Sequence, residues 1–149
     1  MKAAQEVAQE AASQVQRRVH DHFGRLVTRC LEAVFDDPLE FRFVLEKKRG
    51  KTEARPAFFD NGVEVPRQFV AGGVKDVAAF ALRLAKLSLD RPARRKLLVL
   101  DEPFKHVNGD AEQGRVAELV LALSKEFGVQ ILIVTDDQFL KIGKVVEVG

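Results

Sequence analysis

The chain has one cysteine, no tyrosine and no tryptophan among its 149 residues. A lone thiol, Cys30, excludes an internal disulfide and fits a reducing cytoplasm. Its apolar helical neighbours favour a buried, inert side chain over a nucleophile. Without Tyr or Trp there is little for bases to stack on, which argues against specific single-strand recognition. No stretch of 18 apolar residues occurs and the N-terminus has no signal-peptide core, so a soluble, intracellular protein is expected. A net charge of +2 is too small to imply a nucleic-acid partner; local clusters must carry that inference. Metal-site histidines are also wanting. His20 and His22 lie about 200° apart on a helix and cannot share an ion. His106, in a loop, reads as solvent-exposed, with approach to a phosphate as the alternative.

What the chain does have is a change of periodicity. Residues 2–35 hold no proline and only Gly24, and apolar positions recur at Ala4, Ala8, Ala11, Val15, Val19, Phe23, Leu26, Cys30 and Val34. Their mean step of 3.75 residues exceeds the 3.5 of a left-handed coiled coil, so the helix is nearly straight or slightly right-handed. The pattern predicts an arm over residues 1–35 whose second half docks on the remainder, residues 36–149; an ordinary amphipathic first helix fits equally. Asp36-Asp37-Pro38 ends it. Leu39, Phe41, Phe43 and Leu45 alternate with Glu40, Arg42 and Glu46, a half-buried strand over 39–48. A basic turn at 47–51, a second strand at Ala57-Phe58-Phe59, a turn at Asp60-Asn61-Gly62 and a short strand from Val63 to Val65 complete an antiparallel meander. From residue 75 the pattern becomes helix, strand, helix, strand. Val116, Leu119, Val120, Leu123 and Phe127 give the second of these helices a core-facing stripe. The expected fold class is α/β: a mainly parallel sheet flanked by helices, plus a β meander and a long N-terminal helix. At 46% hydrophobic and 31% charged residues, one domain burying roughly 68–70% of its unfolded surface is expected.

The strongest local signal is Leu97-Leu98-Val99-Leu100-Asp101-Glu102-Pro103. Four consecutive aliphatic residues predict a central strand covered on both faces. Two carboxylates stand at its C-terminal end, where α/β folds gather ligands. Asp101 is suited to hold magnesium through its water shell, and Glu102 to orient or deprotonate an attacking water. That is the Walker B arrangement of nucleotide triphosphatases. Gly50-Lys51-Thr52 imitates the end of a phosphate-binding loop. The first glycine of G-x-x-x-x-G-K-[ST] falls at Leu45, however, and Glu53-Ala54-Arg55-Pro56 cannot open a helix, so the segment reads as a hairpin turn. Ahead of the acidic strand, Val70-Ala71-Gly72-Gly73-Val74-Lys75 leads into a helix apolar nearly all round. Paired glycines at a helix start let amides approach an anion, although a plain turn into a buried helix is the simpler explanation of the pair alone.

The order of glycine pair, buried helix, acidic strand end, amphipathic helix and second apolar strand (Ile131-Leu132-Ile133-Val134-Thr135) resembles the C-terminal half of ABC-type ATPase heads. It is most similar to SMC (structural maintenance of chromosomes) and DNA double-strand-break repair ATPases, including phage-encoded relatives, over most of the chain. The resemblance implies that the arm is the returning half of a coiled coil and that residues 39–65 are the sheet before the signature. It implies that Ala71, Gly72, Gly73 and Lys75 contact ATP bound on an opposite head, with Glu102 catalytic and Asp101 on the metal. Asn108 then stands at the D-loop position and Asp136 at the switch position. The implied cofactors are ATP and Mg2+. The implied partners are a Walker A-bearing N-terminal lobe on the same or a companion chain, a second head in a homodimer, non-specifically bound DNA and a nuclease. No membrane is involved, and the location is the cytoplasm, at the nucleoid. The expected function is the C-terminal lobe of an SMC-like ATPase in DNA repair, recombination or chromosome handling, hydrolysing only with the Walker A lobe.

Three departures bear on the chemistry. Ala71 replaces the signature serine, Asn108 the D-loop aspartate and Asp136 the switch histidine. Losing one preorganised donor costs about 10²–10³ in rate, and an ionised Asp136 would repel phosphate. The expectation is ATP-dependent association with slow hydrolysis. Its rivals are a non-hydrolysing dimerisation or clamp module and a DNA-binding domain. For DNA contact the candidates are Arg94, Arg95 and Lys96, beside Arg91, with Lys47, Lys48, Arg49 and Lys51 as a second basic cluster; solvated loops are the default for both.

Overall fold

The first helix, α1 (Lys2–Val34), runs for 33 residues because nothing in it breaks the hydrogen-bond ladder: proline is absent and glycine occurs once. A computed structural model describes residues 1–90 and 95–148, apart from the side chains of Lys2 and Lys51. The helix stops at Phe35, whose backbone is extended (φ −105°, ψ 143°) and whose N–H donates to the Leu31 carbonyl at 2.9 Å. Only its second half is buried, through Leu26, Val27, Cys30, Leu31 and Val34; from residue 3 to 18 nearly every side chain is exposed. Burial pushes the Cys30 thiol up to about 11, which leaves it protonated and unreactive at neutral pH.

Strands β1 (Glu40–Lys48), β2 (Lys51–Asp60) and β3 (Val63–Val65) form an antiparallel sheet in chain order. The second strand is much longer than its apolar core of three residues. Arg55 bridges Glu46 of β1 and Glu64 of β3, each at 2.7 Å, and the polar residues around it pair with β1. Pro56 is accommodated opposite Phe43 because β3 pairs only with residues 58–60, leaving one side of β2 free there. Thr28 fastens α1 to this sheet: its Oγ1 accepts the Phe41 N–H at 2.9 Å and donates to the Phe41 carbonyl at 3.3 Å. Gly24, one turn earlier, lets the helix approach that carbonyl; a Cβ there would stand 3.3 Å from it.

Then follow α2 (Gly72–Leu89), β4 (Leu97–Asp101), α3 (Asp110–Phe127) and β5 (Gln130–Val134). Strands β4 and β5 are parallel, from Leu97 opposite Gln130 to Asp101 opposite Val134. Both therefore end at one edge, which brings Asp101 and Glu102 beside Thr135, Asp136 and Asp137. All three helices and both sheets contribute to one core, with Val27, Leu31, Phe80, Leu84, Leu100, Val116 and Leu123 almost wholly buried. The fold is mixed α/β. Among the described residues no helix is long and apolar enough to cross a membrane.

One expectation fails here. Leu98, Leu100, Ile131 and Ile133 face the core, but Leu97 (43% exposed), Val99 (59%), Leu132 (54%) and Val134 (59%) face outward. The aliphatic run is covered on one side only. The helices all pack into the single core, and no described element lies over the other face.

Candidate active site at the sheet edge

Glu102 follows β4 directly and adopts a left-handed conformation, φ 44°. Outside glycine this region is uncommon and costs on the order of 1–2 kcal/mol. The Glu102 N–H still donates to the Val134 carbonyl at 2.9 Å, so the ladder extends one residue past the strand. Its carboxylate meets the loop after β5: Oε2 accepts the Thr135 hydroxyl at 2.9 Å and Oε1 the Asp136 N–H at 3.1 Å. The Asp137 N–H donates to Thr135 Oγ1 at 3.1 Å, so the loop is wrapped around the glutamate. Carboxylate oxygens of Glu102, Asp136 and Asp137 come within 4.8 Å of one another. Burial, then the charges of Glu102 and Asp136, hold the Asp137 carboxyl above its usual range. Three hard oxygen donors suit Mg2+, and a cation there would relieve their repulsion. Asp101 is exposed and stands outside this group. Glu102 thus clusters with Asp136 and Asp137, an acidic group the sequence alone does not bring together.

The turn from Pro103 to Asn108 closes on the start of α2. Phe104 is buried against Phe80, ring centroids 5.3 Å apart. The His106 N–H donates to Asp76 Oδ2 at 2.8 Å, and His106 Nδ1 lies 3.1 Å from the same oxygen. A Cβ on Gly72 would come within 2.7 Å of the His106 Cβ, and one on Gly73 within 2.9 Å of the His106 carbonyl oxygen. Packing between the two turns thus requires both glycines. Ala71, the residue before α2, caps it with no side-chain hydrogen bond. Lys75 is half-buried in the first turn, its N–H bonded to the Ala71 carbonyl at 3.2 Å. Asn108 is exposed, with Nδ2 donating to the His106 carbonyl at 3.2 Å.

Two groups therefore assemble: Glu102 with Asp136 and Asp137, and Gly72 and Gly73 with the turn 104–108. Arg95 and Lys96 do not join them. They precede β4 and sit at its opposite end, a strand rise of about 13 Å from Asp101. Lys96 Nζ lies 3.4 Å from the Phe127 carbonyl. Arg94 and Arg91 lie outside the described residues. Sequence reasoning missed Thr135 as a ligand of Glu102 and Asp76 as the anchor of His106. The available signal for Asp76 was its being the single acid of a largely apolar helix.

No protein-family model and no curated protein matches the sequence. Solved structures share the fold. An SMC head bound to the C-winged helix domain of ScpA superposes with a TM-score of 0.64 at 21% identity, covering 86% of this chain and 38% of that one. An SMC head domain with a coiled coil and joint derived from Pyrococcus yayanosii gives 0.57 at 21%, covering 93% and 28%. The SMC head domain from Thermotoga maritima gives 0.55 at 19%, covering 86% and 43%. The chain has the fold of part of an SMC head and spans less than half the length of each of these chains.

Proposed function

We propose that this chain is the C-terminal lobe of an SMC-like ATPase head, hydrolysing ATP slowly once a Walker A-bearing lobe and a second head complete the site. Glu102 carries the reading. A carboxylate gripped by two donors, at a strand end and in a strained backbone, is held to one orientation, as a group that positions or deprotonates water must be. The bare face of β4 and β5 supports a missing lobe as its cover. In this reading Asp101 meets Mg2+ through water, and the ion's contribution is to neutralise phosphate charge. Glu102, Asp136 and Asp137 offer a second, direct set of oxygens. The Gly72 and Gly73 amides, with Lys75 and Asn108, face a nucleotide on the opposite head. DNA, in repair, recombination or chromosome handling, is the object of the cycle, and a nuclease or a winged-helix protein of the ScpA kind is the accessory partner.

A clamp that does not turn over has its own support. Ala71 has no hydroxyl to offer, and Asp136 presents its N–H to Glu102 instead of to a ligand. Turnover by the head reconstituted with its Walker A lobe decides between them. Glu102→Gln is expected to lower it at least about 10²-fold and to accumulate ATP-bound dimers. Equal turnover in both proteins removes catalysis and leaves the clamp.

A further inference from the structure

Two hairpin turns in this chain have the same backbone. Asn61-Gly62 has φ values of 46° and 83°; Arg49-Gly50 has 49° and 78°. Both residues left-handed is the type I′ pattern, for which Asn-Gly is the favoured pair. The turn between β2 and β3 uses that pair. The turn between β1 and β2 places an arginine where arginine is strained and asparagine is not. The register places Lys48 directly across from Lys51 at the end of the ladder. Residues 47–51 hold four positive charges in a chain whose net charge is +2, so all the other residues together sum to −2. Further down, the acids are taken up by Arg42 on Glu40 and by Arg55 on Glu46 and Glu64. At the tip Lys48 lies 3.5 Å from Glu46, and Lys47, Lys48 and Arg49 are all exposed.

We infer that this hairpin tip binds the phosphate backbone of double-stranded DNA. Lys47 and Lys48 are neighbours in one strand and project from opposite faces. A two-stranded ribbon charged on both faces and at its end fits between the phosphate walls of a duplex groove, which admits such a ribbon; a flat anionic membrane would meet one face. The inference rests on the DNA-handling part of the proposed function and moves the contact from Arg95 and Lys96 to the hairpin.

Anisotropy of a labelled random-sequence duplex, titrated with the full chain at several salt concentrations, tests it. Three neutralised phosphates give a log–log salt slope of about −2.7, a loss of about 40-fold in affinity from about 50 to 200 mM salt. Lys47→Gln with Arg49→Gln is expected to reduce the slope to about −0.9 and the loss to about 3-fold, while Arg95→Gln with Lys96→Gln leaves both unchanged. Arg49→Asn separates charge from folding: it is expected to raise the thermal midpoint and weaken duplex binding together. If the Arg95 and Lys96 variant loses binding and the hairpin variant does not, the hairpin assignment falls and DNA handling stands. No duplex binding by the wild-type chain at low salt overturns both, as does binding to phosphatidylserine vesicles without binding to duplex. Turnover of the Glu102→Gln head is independent of every one of these outcomes.

Discussion

Gly73→Ala is expected to destabilise the chain although alanine is the better helix former. The new Cβ would stand 2.9 Å from the His106 carbonyl oxygen and 3.2 Å from the Val107 Cα. Both are backbone atoms of a turn that is held on three sides: Asp76 takes the His106 N–H, the Val107 N–H donates to Phe104, and Gln113 donates to the Val107 carbonyl. The turn cannot yield locally, so overpacking costs about 1–3 kcal/mol. Alanine's helix preference returns about 0.5–1 kcal/mol. The net loss, up to about 2.5 kcal/mol, lowers Tm by up to about 10 °C in a domain of this size. Gly114 is the internal control. It lies in α3 with nothing within 4 Å of its would-be Cβ, so Gly114→Ala should raise Tm by about 1–4 °C. Thermal melts followed by circular dichroism read both signs. A Gly73→Ala chain melting at or above wild type would refute the packing account. Gly72 adds a further check because its obstacle is a side chain. The loss in Gly72→Ala should be partly recovered with His106→Gly, which removes the Cβ it meets, the double variant losing less than the two singles together. Any drop in ATP turnover in these variants counts as a lost phosphate contact only where Tm has not fallen with it.

Two other expectations follow from the site and from the sheet. Asp137 binds its proton more tightly folded than unfolded, because burial and then the Glu102 and Asp136 charges disfavour its ionised form. The stability so conferred is full below the ordinary carboxylate range and is lost as pH rises through the raised value. Asp137→Asn should therefore gain stability over wild type near about pH 7 but not near about pH 3 in urea titrations. Magnesium should stabilise wild type at neutral pH and not this variant; an equal response would place the cation at Asp101 instead. Val99 and Leu132 are cross-strand partners on the bare face. Replacing both with threonine should change the stability of the isolated chain by only about 0.5 kcal/mol. It should also reduce self-association in light scattering and block assembly with the Walker A lobe. A large stability loss would show that the face is already covered.

Legibility followed the distance between partners. The helical stripe before Asp36, the alternation over residues 39–48 and the aliphatic run before Asp101 are local signals, and helix α1 and strands β1 and β4 lie there. The upstream half of β2 was not legible, because Arg55 binds acids on two other strands rather than following an apolar alternation. Exposure of Val99 and Leu132 was not legible either: an aliphatic letter is the same whether its cover comes from this chain or from another. At the candidate site, Asp101 and Glu102 were evident from strand and charge alone. The grip of Thr135 and Asp136 on Glu102 joins residues 33 and 34 positions apart, and that of Asp76 on His106 spans 30. No local spacing encodes such pairs. The glycine pair was visible but ambiguous, since close packing and anion approach ask for the same missing Cβ.

The seam between α1 and the meander has a mechanical consequence. Gly24 and Thr28 press the helix onto Phe41 while the rest of its second half packs into the core, and residues 3–18 project about 24 Å with nearly every side chain exposed. A stiff rod pinned so close to one end is a crowbar with its fulcrum at Phe41. Sideways load at Met1 becomes torque where the helix meets Phe41, and the buried half of the helix carries it into the shared core.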